Sequence, residues 1–497
     1  MTTVRPKVSR RAFLGLGAVA AGGLALAACA PAPPPAPVAA PTEAPKAEPT
    51  AEEPAAPVEP TPATSRPGVL TAWSMSFQPH SWMMEAIVPD FKDQNPDIQV
   101  DYQPQPGDYG AKWRAALAAS QAPDIFIIHG SALLELAVAG QLMPVTPDIV
   151  TVEEIKKDFM PENYLQSFYK GNIYAYGVPD PPGDAGMVVN LDFLDEAGLK
   201  QLPVFDSTDQ MLEYARKLVV KNGDEVQRAG VMVTGEGNFP IYWLSYIVDM
   251  GGRWFDNDKQ LFTLQTPEAE AALQFFYDIV WKERLDDPAL GNNMFNAIPQ
   301  GLAAMAYMWP EFVPYATAAF PDLRLGLTIK PGFTPGKPAI FNHSDTWNFA
   351  VWSGTKNKEA AIKFLQYGKQ RDVQHKMLEQ NPGMSPLKAI TFDKTDPFWQ
   401  TGKGAYMAPV INAITKGQYR YYGPFGNMDT LEYDIMWPVI NELYQKKYAT
   451  VKEALAAMEA KLNAEVANYQ QKYPDVPPVE IGWDGIDPNL MQGIPTS

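Results

Sequence analysis

Few side chains in this 497-residue chain could support bond-making chemistry. The four histidines, His80, His129, His343 and His375, stand far apart, and the single cysteine, Cys29, has no second thiol to work with. Zinc sites need several such ligands at short, characteristic spacings, so no metal site is expected. No His-Glu-x-x-His, Gly-x-Ser-x-Gly or Walker sequence occurs, and no cofactor is expected. The Asp-Asn-Asp at 256–258 resembles the opening of a calcium loop. It lacks the glycine and the distal glutamate, which points to a hairpin turn instead. Paired carboxylates for glycoside hydrolysis, roughly 5–10 Å apart in space, leave no mark in sequence spacing. A secreted glycan-cleaving enzyme therefore stays open as the rival to a binding protein.

The chain does carry material for holding a polar solute: 12 Trp, 22 Tyr and 23 Phe beside many carboxylates. Aromatic faces match the apolar C–H faces of a sugar, and Asp, Asn, Gln or Arg groups bond its hydroxyls. Most aromatics are core, so position decides. Ligands of open α/β sheets sit beyond the carboxyl ends of the strands. By that rule Trp73, Ser74 and Met75 follow a first strand, and His129 with Gly130 follows a third. Trp309 and Glu311 close a later Ala-Met strand. The ordinary alternative for His129 is a satisfied loop histidine.

The elements that would position these residues follow a regular order. Residues 69–74 (VLTAWS), 98–102 (IQVDY) and 124–128 (DIFII) read as strands. Residues 81–94, 109–120 and 131–139 read as helices, with Pro89 making the first uncertain. Strand and helix alternating three times in about 70 residues predicts an α/β unit with a mainly parallel sheet. The same grammar continues with strands at 187–190, 229–234, 303–308 and 325–329. Helices are expected at 192–197, 206–220, 266–281, 356–368, 431–444 and 451–469, the one at 266–281 capped by Thr266 with Pro267 first inside. About 430 residues are too many for one core, so two lobes are expected.

Several stretches, in order, are similar to the extracellular solute-binding proteins of ABC importers, the maltose-binding type being the nearest broad relative. They are GNIYAYGVP at 171–179, MVVNLDFLDEAGL at 187–199 and DMGGRWFDNDKQLFTLQTPEAEAALQFFYDIV at 249–280. GLAAMAYMWPE at 301–311, SGTKNKEAAIKFLQY at 353–367 and GMSP at 383–386 follow. The resemblance implies a two-lobed α/β periplasmic-binding-protein-like fold with a ligand cleft at a hinge of several crossing segments. The first lobe would be 68–182 plus 340–375 and the second 183–339 plus 376–497, with crossings near 179–184, 338–344 and 374–383. It also implies further site residues. Asp180 and Asp184 fall in one crossing, where turn chemistry beside proline and glycine is the alternative. Asp345 and Trp347 fall in the return crossing, where packing is the alternative. Tyr242 and Trp243 stand where the family places an aromatic, and Tyr421 and Tyr422 lie in an aromatic loop. The implied role is a monomeric, non-enzymatic receptor that captures a carbohydrate and delivers it to a permease and ATPase complex. A polyamine or polyol is the alternative solute.

The amino-terminal segment sets the expected location. Arg5, Lys7, Arg10 and Arg11 precede an uncharged run from 12 to 28, about 17 residues and short for a span of roughly 20. That is the form of a secretory signal peptide, 1–28. Leu26, Ala27 and Ala28 before Cys29 resemble the lipobox of bacterial lipoproteins, which implies lipid on Cys29. Ser9, Arg10, Arg11, Phe13 and Leu14 resemble the twin-arginine export motif. Residues 29–67, rich in Pro, Ala and Glu, cannot bury enough apolar surface to order themselves and read as a semi-rigid tether reaching at most roughly 100 Å. The expected site is the outer face of the bacterial cytoplasmic membrane, at the cell surface or in the periplasm. A net charge of −17, without a basic stripe, argues against nucleic acid as a partner.

Overall fold

The computed structural model describes residues 65–483 other than 77, 181–184, 200, 235–238, 292–293, 338, 343–345, 401, 417–418, 421–427 and 429. The signal segment, Cys29 and most of the expected tether lie outside the described residues, as do Asp184, Asp345, Tyr421 and Tyr422. No helix among the described residues is long and apolar enough to cross a membrane.

The strands of the two larger sheets, in chain order, are β1 (Val69–Met75), β2 (Gln99–Gln105), β3 (Ile125–His129), β4 (Ala175–Gly177), β5 (Gly186–Asn190), β6 (Met305–Tyr307), β7 (Leu325–Ile329) and β8 (Trp347–Val351). The first sheet has the order β2-β1-β3-β8-β4. β1 runs parallel to β2 and β3, while β8 is antiparallel to β3 and β4. The second sheet, β6-β5-β7, is antiparallel, unlike the parallel grammar expected of it. Residues 229–234, expected as another strand, form only isolated parallel bridges from Ala229 to Ala303 and from Met232 to Ala306. Gly230 between them packs against the Ala215 backbone, where a Cβ would come within 2.1 Å of the carbonyl oxygen.

Each sheet owns a core. In β3, Ile125 and Ile127 join Leu70, Ile87, Phe91, Tyr176 and Phe349 on one face. Phe126 and Ile128 join Trp73, Trp113 and Trp352 on the other. Burial on both faces explains why this strand is a continuous apolar run instead of an alternating one. The second core gathers Met187, Val189, Trp243, Trp254, Phe276 and Tyr307, with the helix Val451–Lys472 packed on it through Leu455, Met458 and Leu462. The helix Pro267–Trp281 begins as its sequence dictates, with Thr266 Oγ1 accepting from the Ala269 amide at 3.2 Å. The helix Gln78–Gln94 runs straight through Pro89.

The chain leaves the first sheet after Gly177, enters the second at Gly186, leaves it after Ile329 and returns at Trp347. The helix Arg371–Gln380 spans the boundary expected at 375, and Val373, Met377 and Leu378 all pack in the first core. Asp180 and Met384 then pair backbone to backbone at 2.9 and 3.3 Å.

Folding of the first lobe starts earlier than position 68. Ser65 donates its amide to Ala122 O at 3.0 Å, and its hydroxyl reaches Asp124 at 2.5 Å. The buried Asp124 carboxylate also accepts the Thr71 amide at 2.7 Å and the Thr355 hydroxyl at 2.5 Å. It ties β1, the lead-in to β3 and the loop after β8 together, where a buried carboxylate must satisfy its lone pairs. This fastening lies at the amino ends of β1 and β3, the end of the sheet opposite His129 and Trp347.

Candidate functional site

At the other end of the first sheet the strand ends converge on one indole. Trp347 opens β8 in register with His129, the last residue of β3. Its ring centroid lies 4.5 Å from that of His80, 5.2 Å from that of His129 and 6.4 Å from that of Tyr109. Its backbone N–H donates to Asp180 Oδ2 at 3.2 Å. Trp347 remains half-buried, as does His129, while His80 and Tyr109 are buried. His129 Nδ1 bonds the Ser131 hydroxyl at 2.7 Å, which fixes its ring. Burial, then the charge of His129, lowers the His80 pKa to about 3, so the ring against Trp347 is neutral at physiological pH. Gly130 permits the close approach of a further group. A Cβ there would meet Gln166 Oε1 at 1.5 Å, and the Gly130 amide donates to Thr346 O at 2.8 Å.

The end of β6 builds a second patch. Trp309 is half-buried and packs on Phe295 at 4.8 Å, with Phe312 and Tyr315 extending the aromatic wall. Two residues on, Glu311 is 9% exposed and directly precedes the helix Phe312–Ala319. Its Oε2 has no hydrogen-bond partner among the described residues. Burial raises its pKa from 4.5 to about 8, opposed among the described residues by a hydrogen bond from its own backbone. The charge on Glu311 in turn pushes up the Tyr406 phenol, whose main cause of elevation is burial. Tyr406 OH donates to Pro382 O at 2.5 Å. Hydrogen bonds join Trp347 to Asp180, Asp180 to Met384, and Tyr406 to Pro382, two residues before Met384.

The raised pKa has a stability consequence. Between pH 4.5 and 8 the unfolded chain loses the Glu311 proton while the folded chain keeps it. Stability from this group is therefore fully present below 4.5, falls as pH rises to 8, and changes no further above. Glu311→Gln removes that slope. Urea unfolding of the apo protein is expected to show the variant gaining on wild type by up to about 5 kcal/mol between pH 4.5 and 8. Parallel pH profiles for the two proteins would contradict the assignment.

Other expected site residues are placed differently. Trp73 is 2% exposed and packs in the first core with Tyr109, and its carbonyl accepts from Tyr109 OH at 3.4 Å. The fully buried Ser74 is engaged with Tyr102 OH at 2.7 Å. Tyr242 and Trp243 belong to the second core. Tyr242 OH donates to Gly186 O at 3.3 Å, and Trp243 Nε1 donates to Ala269 O at 3.3 Å with none of the ring exposed. The Asp-Asn-Asp segment is the hairpin turn expected, Asp256 Oδ1 accepting the Asp258 and Lys259 amides at 3.1 and 3.0 Å. His80, Tyr109, Gln166 and Tyr406 were not anticipated. Tyr109 lies just past the end of β2, where the strand-end rule applied to every strand would have found it.

Comparison with known proteins adds a family. A model described as bacterial extracellular solute-binding protein matches residues 76–375. The chain is 24% identical over 364 residues to the maltotriose-binding protein of Pyrococcus abyssi, covering 69% of this chain and 73% of that one. It is 23% identical over 437 residues to the arabinooligosaccharide-binding protein of Halalkalibacterium halodurans, covering 81% and 90%. Among solved structures, an ABC substrate-binding protein of Listeria monocytogenes in complex with cycloalternan superposes with a TM-score of 0.67 at 19% identity. That match covers 81% of this chain and all of the other.

Proposed function

We propose, from the premise that this chain belongs to the bacterial extracellular solute-binding proteins, that it is the substrate receptor of an ABC importer and that its solute is a carbohydrate. The observation that carries the reading is the pair of half-exposed tryptophans at strand ends of different sheets. Trp347 sits among His80, Tyr109, His129 and Asp180, and Trp309 stands beside Glu311. Flat aromatic faces with hydrogen-bonding groups at their edges suit a pyranose ring and its hydroxyls. The names of the sequence relatives, which bind maltotriose and arabino-oligosaccharides, support the same class.

In this reading the ligand lies between the two patches and favours closure by touching both lobes, the segments around Asp180, Phe341 and Met384 serving as the hinge. Closure follows from differential affinity for the closed state. Solute is bound and released unchanged. Lipid on Cys29 and the tether hold the receptor outside the membrane. Ser65, the first described residue, is fastened at the strand ends remote from Trp347.

A thermal-shift panel of mono- and oligosaccharides, polyols, polyamines and amino acids tests this. A ligand at about a hundred times its Kd should stabilise by about 2.7 kcal/mol. The expected result is a shift confined to saccharides, with no product after overnight incubation. Shifts with polyamines alone would overturn the sugar, and cleavage of a glycan would overturn the receptor.

A further inference from the structure

We infer that Glu311 selects a saccharide bearing a basic nitrogen, an amino sugar or aminated oligosaccharide, whose ammonium group the Glu311 carboxylate and the neighbouring Trp309 face receive together. The inference rests on the receptor reading above. Its basis is an imbalance. Glu311 is nine-tenths buried at the end of β6, and one of its oxygens has no partner among the described residues. Trp309 and Phe312 flank Glu311 in the chain, Trp309 packs on Phe295 and Phe312, and the Tyr406 phenol of the same lobe is near enough to feel its charge. No lysine or arginine among the described residues forms an ion pair with it.

A carboxylate that only bonds sugar hydroxyls must be kept ionised by donors of the protein. Among the described residues the donor opposing burial is the residue's own amide, and the group holds its proton at neutral pH. A neutral hydroxyl does not change that balance. An ammonium does, because it supplies the missing donor and the missing charge at once. The electron-rich face of Trp309 favours the same charge. On the other lobe Trp347 packs against a neutral His80, and the Asp180 carboxylate beside it is engaged by the Trp347 backbone N–H at 3.2 Å. Sugars carrying carboxylate or phosphate at this end are disfavoured, with Glu311 offering no countercharge.

The test is calorimetric titration of the intact protein at pH 7 with matched pairs that differ only at one nitrogen. The pairs are glucosamine against glucose and N-acetylglucosamine, and their α- and β-linked dimers. At least one amine-bearing sugar is expected to bind ten or more times tighter than its neutral partners. It should also release close to one proton, seen as a dependence of enthalpy on the buffer. Glu311→Gln is expected to lose that preference and the proton release. Equal or tighter binding of the neutral members, or no binding by any amine-bearing member, overturns the inference and leaves the receptor reading in place. Binding of spermidine with no response to any sugar would instead overturn the carbohydrate reading itself.

Discussion

Trp347→Ala is expected to bind saccharide about thirtyfold more weakly than wild type, near 2 kcal/mol, while remaining folded. The size follows from position. The rings of His80, Tyr109 and His129 all lie within 6.4 Å of the indole, which is itself only half-buried. Its backbone N–H bond to Asp180 survives the substitution, so the hinge contact is kept. Trp347→Phe should recover much of the loss by restoring an aromatic face. Calorimetry beside a melting curve reads both quantities. Wild-type affinity in the alanine variant would remove Trp347 from the site.

Trp243→Ala is expected to do the reverse: about 3–5 kcal/mol of stability lost in urea unfolding, with saccharide affinity of the folded protein unchanged. Trp243 is fully enclosed in the second core, and its indole N–H is spent on Ala269 O. Truncation leaves a cavity between the helices Phe239–Asp249 and Pro267–Trp281 and removes the indole hydrogen bond to the Ala269 carbonyl. A weakened ligand with unaltered stability would place this residue back in the binding site.

The contrast between these two tryptophans shows where sequence reasoning succeeds and where it stops. Residues at strand ends were traceable because strands announce themselves. DIFII is an unbroken apolar run, and His129 follows it at the end where ligands gather. Trp347 and Asp180 became visible only through the likeness to a family: Trp347 opens β8 instead of ending it, and the short β4 that ends just before Asp180 was not among the strands read from the sequence. Trp243 lies in a helix, FPIYWLSYIVD, that is apolar on nearly every face. Helical periodicity then gives no inward direction, and only packing against Ala269 supplies one. Ser74 stands at the right end of β1, but Tyr102 on the neighbouring strand already claims its hydroxyl, a partnership created by the sheet. The antiparallel second sheet was hidden for a related reason. β5, β6 and β7 are all short and apolar, β5 and β6 fully buried, and such runs look alike whichever way the neighbour runs. The raised pKa of Glu311 depends on the aromatic walls that fold around it, and its local sequence WPEF carries no sign of them.

The central claim is that one saccharide is held by both lobes at once, and Trp309 tests it most directly. With the saccharide that stabilises the protein most, calorimetric titration of Trp309→Ala beside wild type should give one ligand per chain. The variant should lose at least about tenfold in affinity, near 1.4 kcal/mol. Wild-type affinity in Trp309→Ala would mean that the second lobe does not touch the ligand, and the account of capture by closure would fall with it.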